Sequence, residues 1–429
     1  MLGKEQQQIY DLIEKSNQNL FLTGKAGTGK SYLLNYIKEN TKKKAVFLAP
    51  TGIAAINIGG QTINSFFKIF QHGVYSGEYL RTLTNPKDPQ SMSKSLIETI
   101  QNIDLLVIDE ISMVRSDMYW TIDQLCRYAR KNKDESFGGI QLLLVGDLYQ
   151  LPPVVSDQAI ANYLQFNFGG PYFFNAPDAL HNLSMYELKD IYRQKDIKFK
   201  QVLNNVREGL NLDNSIDILN TRVMEPPKNT EYITLAGRNY EVDKINSEKL
   251  AKIDSKEFTY SAIISGKMNE ASYPASPHLK LKVGAQIMML TNDPCGRYVN
   301  GSIGKVSKLS KNKVEVIING AVIDVDQYTW TTVTHKYNKE TNKMDREASA
   351  SFTQYPIRLA YAVTIHKSQG QTYDSVYLKM TNAFDYGQTY VALSRCKDFD
   401  KLYLASKLQP RDIKISKPVQ NFMNLGKEK

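Results

Sequence analysis

The sequence predicts an α/β protein with two parallel-sheet units, the second interrupted by a small all-β insertion. Three observations carry this. Short runs that are apolar throughout recur between helical stretches, a glycine-rich phosphate loop follows the first of them, and from about residue 284 the texture changes to short alternating runs with turn dipeptides. Runs too apolar to alternate are what parallel strands covered on both faces require. At 429 residues the chain has room for about three domains.

The runs "NLFLT" (19–23), "AVFLA" (45–49), "IDLLVI" (103–108) and "IQLLLV" (140–145) are read as strands of a first unit over residues 1–180. "EYITLA" (231–236), "SVYLKM" (375–380) and "KLYLAS" (401–406) belong to a second, over 181–283 and 355–429. Residues 284–354 read as a β-barrel insertion. There "AQIMML", "GSIGKVSKL", "KVEVIING" and "AVIDVD" alternate, and Asn300-Gly301 and Asn319-Gly320 are hairpin signals. The charged run 334–349 reads as an exposed hairpin within it.

Lys and Arg exceed Asp and Glu by 54 − 44 = +10. Such an excess suits either a soluble surface or a polyanion partner, because clustered cations gain affinity by releasing counterions from phosphates. No apolar run approaches the ~18 residues of a membrane span, and "MLGKEQQQIY" is not a basic-then-apolar export signal. The expectation is a cytoplasmic protein with no membrane partner. Three scattered cysteines, none in C-x-x-C, argue against a disulfide framework or zinc ribbon. The five histidines are too far apart to suggest a metal site.

"GKAGTGKS" matches G-x-x-x-x-G-K-[ST] between an apolar strand and a helical stretch. Gly24, Ala26, Gly27, Thr28 and Gly29 turn backbone N–H groups toward phosphates, Lys30 reaches the β and γ phosphates, and Ser31 can ligate Mg²⁺. "LLVIDE" places Asp109 and Glu110 at the end of a second buried strand. A carboxylate there holds Mg²⁺, with Asp109 as second metal residue, and its neighbour can polarise the attacking water. "VGDLYQLPPV" adds Asp147 and Gln150 beside the same edge, Gln150 within reach of a γ-phosphate. "NKMD" (342–345) imitates a guanine-recognition pattern, but no apolar strand delivers it. The nucleotide is therefore read as ATP.

These motifs together resemble superfamily-one helicases, and the region from Val114 to Val154 resembles the signature of the petite-integration-frequency (PIF) family, group B 5′→3′ DNA helicases. "APTGIAAINIGGQTINSFF" (49–67), "YRQKD" (192–196), "YAVTIHKSQGQTYDSVYL" (361–378) and "YVALSRCKDFDKLYL" (390–404) match further family motifs in order, over nearly the whole chain. It looks like the compact bacterial or phage members. The resemblance implies two RecA-like domains, a wedge subdomain near 62–80 and a Src-homology-type barrel in the second domain. It implies a DNA-stimulated ATPase that moves 5′→3′ on single-stranded DNA and opens duplex. A non-unwinding ATP-gated clamp and a motor subunit of a recombination complex are the alternatives.

Carried over by residue, Gln6 would read adenine, and Arg193 and Arg395 would reach the γ-phosphate from the second domain. DNA contacts fall on Pro50, Thr51, Gly52, Thr62, Asn64, Ser65, Phe66, Asn300 and Lys305, with Phe66 and Phe67 candidates for base stacking. Asn64 stands where many relatives carry His; it can donate to a phosphate but cannot titrate. In the stretch 361–378 a Ser–His–Lys hydrolase lacks an orienting acid. Thr364, His366 and Ser368 instead offer donors to DNA, with Gln369 and Gly370 toward the ATP cleft. Expected partners are single-stranded and tailed or forked duplex DNA, with G-quadruplexes and RNA–DNA hybrids as further candidates. The expected form is a nucleoid-associated monomer working in repair, recombination or telomere maintenance.

Overall fold

The computed structural model describes residues 2–425 apart from 70–72, 156, 195, 229, 269, 271–272, 339–340, 342 and 381. Six parallel strands form the first sheet: β1 (Asn19–Gly24), β2 (Ala45–Ala49), β3 (Gln61–Thr62), β4 (Leu105–Ile108), β5 (Gln141–Val145) and β6 (Leu183–Leu188), in spatial order β3-β2-β4-β5-β1-β6. Strands β2, β4 and β5 are buried at every position. Their alternate residues serve two cores. Leu20, Leu22, Phe47 and Val107 pack with Leu33, Leu34 and Ile37 of the helix Lys30–Asn40. Phe21, Val46, Leu106 and Leu144 face Tyr119, Ile122 and Leu125 of the helix Ser116–Arg130. Sheet coverage on both faces explains why these runs carry no polar alternation.

The edge strand β6 carries the first sheet past residue 180, where the sequence had suggested a boundary. Its "LSMYEL" is only half-buried at five positions, so it lacks the continuous apolar run that marks the inner strands.

Next come β7 (Ile233–Ala236), β8 (Phe258–Ser261), β9 (Ile263–Gly266), β10 (His278–Leu281), β11 (Gln286–Met289), β12 (Ile303–Ser310), β13 (Lys313–Ile318), β14 (Ala321–Val325), β15 (Tyr328–Asn338), β16 (Lys343–Gln354) and β17 (Ile357–Leu359). The last three are β18 (Ala362–Thr364), β19 (Val376–Lys379) and β20 (Leu402–Leu404). A second parallel sheet has the order β18-β7-β19-β20. An antiparallel sheet, β14-β13-β12-β11-β17, has its own core of Ile287, Val306, Val316 and Ile323. Antiparallel pairing therefore begins at Phe258, upstream of the expected 284, with β8 paired to β10 and β9 added to the β15–β16 hairpin.

Asn319 (φ 51°) and Gly320 (φ 80°) both adopt the left-handed backbone that a two-residue turn joining β13 and β14 demands. Asn300-Gly301 is different: it lies in the long 290–302 connection between β11 and β12, not in a tight turn. The charged run 334–349 does form a hairpin, but it is docked rather than freely exposed. His335 is 4% exposed, its N–H donates to Gln61 Oε1 at 3.3 Å, and its ring meets Phe66 edge-on at 6.2 Å. Asn342 of "NKMD" lies outside the described residues, and the rest of that motif sits at the start of β16.

Candidate active site

The phosphate loop links β1 to the helix Lys30–Asn40. Gly27 (φ 85°) and Gly29 (φ 84°) are left-handed and crowded: a Cβ on Gly27 would lie 2.4 Å from Arg193 Cβ, and one on Gly29 2.7 Å from Gln6 Nε2. Glycine is required there twice over. Lys30 Nζ donates to the carbonyls of Gly24 (2.6 Å) and Lys25 (3.1 Å). Gln6 is 6% exposed and accepts from Gly3 N–H at 3.0 Å while its amide donates to Gly29 O at 3.3 Å. It thus sits against the loop, beside Tyr192, whose N–H donates to Gly27 O at 2.9 Å.

A cavity of about 530 Å³ brings the loop residues Ala26–Ser31 together with Asp109, Glu110, Asp147 and Gln150 from the first sheet. Arg193, Gly370 and Arg395 line its other wall. Asp109 and Glu110 follow β4, and Glu110 adopts a left-handed backbone (φ 51°) that costs a non-glycine residue roughly 1–3 kcal/mol. That sharp turn sets both carboxylates in the cavity wall.

Burial destabilises several of the charges in this cavity. Burial, then Glu110, pushes Asp109 up to about 7, and burial also raises Glu110. On the opposite side burial lowers Lys30, and burial followed by the neighbouring Arg395 brings Arg193 down to about 9. Each group is driven away from its charged form. A divalent cation beside the carboxylates and phosphate oxygens beside Lys30 and Arg193 would reverse each of these shifts, so the donor set fits a metal–triphosphate.

Two residues central to this site were missed in the sequence. Tyr390, 3% exposed, accepts from Ala26 N–H at 3.0 Å and donates to Asp147 Oδ2 at 3.2 Å. Arg207 pairs with Asp147 at 3.0 Å and lies over the Tyr149 ring at 4.5 Å. Burial alone would raise the Asp147 carboxyl, but Arg207 and Lys30 hold it below its usual range. Tyr390 lies inside the recognised "YVALSR" segment, where only the arginine had been singled out. Arg207 lies in an ordinary amphipathic helix, Ile197–Glu208, and no motif spacing marks it.

The two expected γ-phosphate arginines are unequal. Arg395, 1% exposed, donates to Val391 O (2.9 Å), Gln371 O (3.1 Å), Ser368 O (3.5 Å) and Ser394 Oγ (2.8 Å). It holds the 368–371 turn together. Arg193 donates to Ser394 O at 3.2 Å and is half-buried at the cavity wall. Across that wall Gln369 donates to Glu110 Oε2 at 3.1 Å, joining the turn to the carboxylate.

The DNA candidates fare differently. Pro50, Thr51 and Gly52 follow the carboxyl end of β2 and are half-buried, with Thr51 Oγ accepting from Ala54 N–H at 3.3 Å. Thr62 and Ser65 are half-buried at the end of β3, Thr62 Oγ accepting from Ser65 N–H at 3.2 Å and Ser65 Oγ from the Gln61 amide at 3.0 Å. Phe66 (2% exposed) and Phe67 (1%) stack edge-on in the core, so neither is placed to stack on a base. Asn64 spends its amide on Ile69 O (2.9 Å) and Tyr75 Oη (2.8 Å), two groups of the protein itself, instead of meeting a phosphate. Ser368 is fully buried and donates to Ile365 O at 2.7 Å, while Thr364, 4% exposed, accepts from Lys367 N–H at 3.2 Å. Both cap a turn and neither presents a hydroxyl to solvent. Asn300 N–H donates to Asn292 Oδ1 at 2.8 Å. Lys305 pairs with Glu231 at 3.1 Å, at the amino end of β7, away from the carboxyl ends that carry the other candidates.

The PIF1-like helicase family model matches residues 1–215. The ATP-dependent DNA helicase Pif1 of Bdellovibrio bacteriovorus is 33% identical over 98% of this chain and 91% of its own. The crystal structure of Bacteroides sp. Pif1 in complex with ADP-AlF4 is 36% identical, covers 100% of this chain and 97% of that one, and superposes with a TM-score of 0.91. Bacteroides Pif1 bound to single-stranded DNA has the same 36% identity and coverage of 100% and 97%, but a TM-score of 0.70.

Proposed function

Because this chain belongs to the PIF1-like helicase family and is an ATP-dependent DNA helicase, we propose that it translocates 5′→3′ on single-stranded DNA by opening and closing the cleft between its two parallel-sheet units. Support comes first from the cavity, whose phosphate loop and paired carboxylates belong to the first unit and whose Arg193, Gly370 and Arg395 face them. ATP is the substrate. Lys30 and the loop amides bind its phosphates, Glu110 polarises the attacking water, Gln150 and Arg193 meet the γ-phosphate, and Gln6 with Tyr192 frames the base. Ser31 and Asp109 would hold Mg²⁺, which supplies charge neutralisation between the phosphates. Arg395 acts by holding the 368–371 turn, and Gln369 carries the state of Glu110 to that turn.

The domain partition that accompanies this reading is a first unit extending through β6, a second from there to the C-terminal helix, and an antiparallel insertion from Phe258 to Leu359. The wedge falls after β3. The arrangement of the units in this structure matches the DNA-free forms of the relative, 0.91 with the nucleotide analogue and 0.88 unliganded, better than its DNA complex at 0.70, all at 36% identity. That difference supports rearrangement of the units when DNA enters. The DNA path runs along Pro50–Gly52, Thr62 and Ser65 on the first unit and the loops after β7, β18 and β19 on the second. No helix among the described residues is long and apolar enough to cross a membrane. A cytoplasmic monomer working on forks, G-quadruplexes or RNA–DNA hybrids in repair, recombination or telomere maintenance is the setting proposed.

The carrying observation is the single cavity with catalytic groups from both units. Duplexes bearing a 5′ or a 3′ single-stranded tail test the function. ATP-dependent separation of the 5′-tailed substrate is expected. Separation of the 3′-tailed one alone would reverse the polarity, and DNA binding with separation of neither would leave an ATP-gated clamp.

A further inference from the structure

The second sheet is parallel, so the carboxyl ends of β18, β7 and β19 open on one side, the side where ligands of such sheets collect. The loops leaving these ends converge on one side chain. After β19 comes Phe384, about half exposed at 48%. After β18 comes His366, whose ring stacks on Phe384 with centroids 6.0 Å apart and planes 12° from parallel. After β7 comes Gly237, where an added Cβ would lie 3.5 Å from Phe384 Cε1.

An exposed aromatic on a loop is ordinarily mobile; this one is pinned. Its N–H donates to Oε1 of the buried Gln388 at 3.0 Å, and its carbonyl accepts from Lys414 Nζ at 3.4 Å. The next residue, Asp385, meets His366 Nε2 at 3.2 Å, which fixes the supporting ring and occupies that carboxylate. Lys367 and Arg238, both exposed, stand on the adjoining loops. A rigid aromatic ledge flanked by three cations is the arrangement that single-stranded nucleic acid uses, bases on the ring and phosphates on the cations.

We propose that Phe384, backed by His366, is a base-stacking step on the second unit. It takes one unpaired nucleobase of the translocating strand. The proposal rests on the single-stranded DNA helicase reading and sharpens it: His366 supports the ring that touches the base, rather than donating to a phosphate. Position strengthens this. A Cβ on Gly387, three residues on, would lie 2.3 Å from Tyr149 O and 2.6 Å from Gln150 O, so the same loop is wedged against the segment that carries Gln150 into the ATP cavity. A base gripped at Phe384 is therefore mechanically close to the nucleotide.

The test compares two oligonucleotides of equal length, oligo(dT) and an all-abasic deoxyribose-phosphate strand, by fluorescence anisotropy with wild type, Phe384→Ala and Phe384→Trp. Stacking of one base predicts that Phe384→Ala weakens oligo(dT) binding by ~5-fold or more, leaves abasic binding within about twofold of wild type, and that Phe384→Trp restores oligo(dT) affinity. Equal losses on both strands would show a structural role, and no loss on either would show no contact; each overturns the proposal. Wild-type protein that binds oligo(dT) and unwinds DNA while Phe384→Ala is indifferent sinks the stacking step alone. Wild-type protein that does neither sinks the underlying reading.

Discussion

Tyr390→Phe removes one oxygen and keeps the ring, so its consequence can be worked from two bonds. Across the cleft that hydroxyl accepts from Ala26 N–H at 3.0 Å and donates to Asp147 Oδ2 at 3.2 Å. Burial and the Asp147 charge push the phenol upward, which keeps it a protonated donor. Losing a neutral bond costs about 1 kcal/mol, and losing one to a charged acceptor about 1.5–3 kcal/mol. Asp147 retains Arg207 at 3.0 Å and Gln150 at 3.3 Å, so the lower end applies to the second bond. The sum is about 2–3 kcal/mol. Ala26 and Asp147 flank the first sheet and Tyr390 the second, so the loss falls on an arrangement in which the two sides touch and spares one in which they part. At about 1.36 kcal/mol per decade, kcat/KM for ATP should fall roughly 30- to 150-fold. Steady-state ATPase at saturating oligo(dT) reads this, with thermal melting as a check on the fold. A kcat/KM within about threefold of wild type, in a protein that melts normally, would refute the claim that this hydroxyl ties the cleft shut.

Other outcomes follow from single contacts. Gln369→Ala deletes the 3.1 Å bond to Glu110, and a charge-assisted bond of about 1.5–3 kcal/mol implies a drop of roughly 10- to 150-fold in the stimulation of ATPase by single-stranded DNA. An unchanged ratio of stimulated to basal rate would remove Gln369 from the coupling. Phe66→Ala, at a side chain only 2% exposed, should destabilise by about 3–5 kcal/mol in denaturant melts. A stable variant with weakened DNA binding would instead return Phe66 to the DNA path.

Much of the fold is readable because inner parallel strands must be apolar on both faces: β1, β2, β4, β5, β7 and β19 coincide with quoted runs to within one or two residues, as does β20, an edge strand that is nevertheless buried at every position. What was not readable has a common cause. β6 and β9 are edge strands whose exposed positions tolerate polar residues, so periodicity does not separate them from loops. The same logic divides the site. The phosphate loop and the paired carboxylates are contiguous motifs, and the cavity gathers them as expected. Arg207 and Tyr390 act through tertiary contacts to Asp147 that chain position does not encode. Exposure was misjudged where a polar side chain satisfies its own backbone. Ser368, Thr364 and Asn64 belong to residue types that meet DNA when exposed, yet each is spent on groups of the protein itself.

Under the proposed function one ATP site is completed by an arginine reaching across the cleft, and Arg193, at the cavity wall, is the residue proposed for it. The most direct measurement is single-stranded-DNA-stimulated ATP hydrolysis by Arg193→Ala, paired with equilibrium binding of a fluorescent ATP analogue. A transition-state role predicts a fall in kcat on the order of 10³-fold or more while nucleotide affinity changes by less than about tenfold. Hydrolysis within about threefold of wild type, or equal losses in binding and turnover, would contradict it.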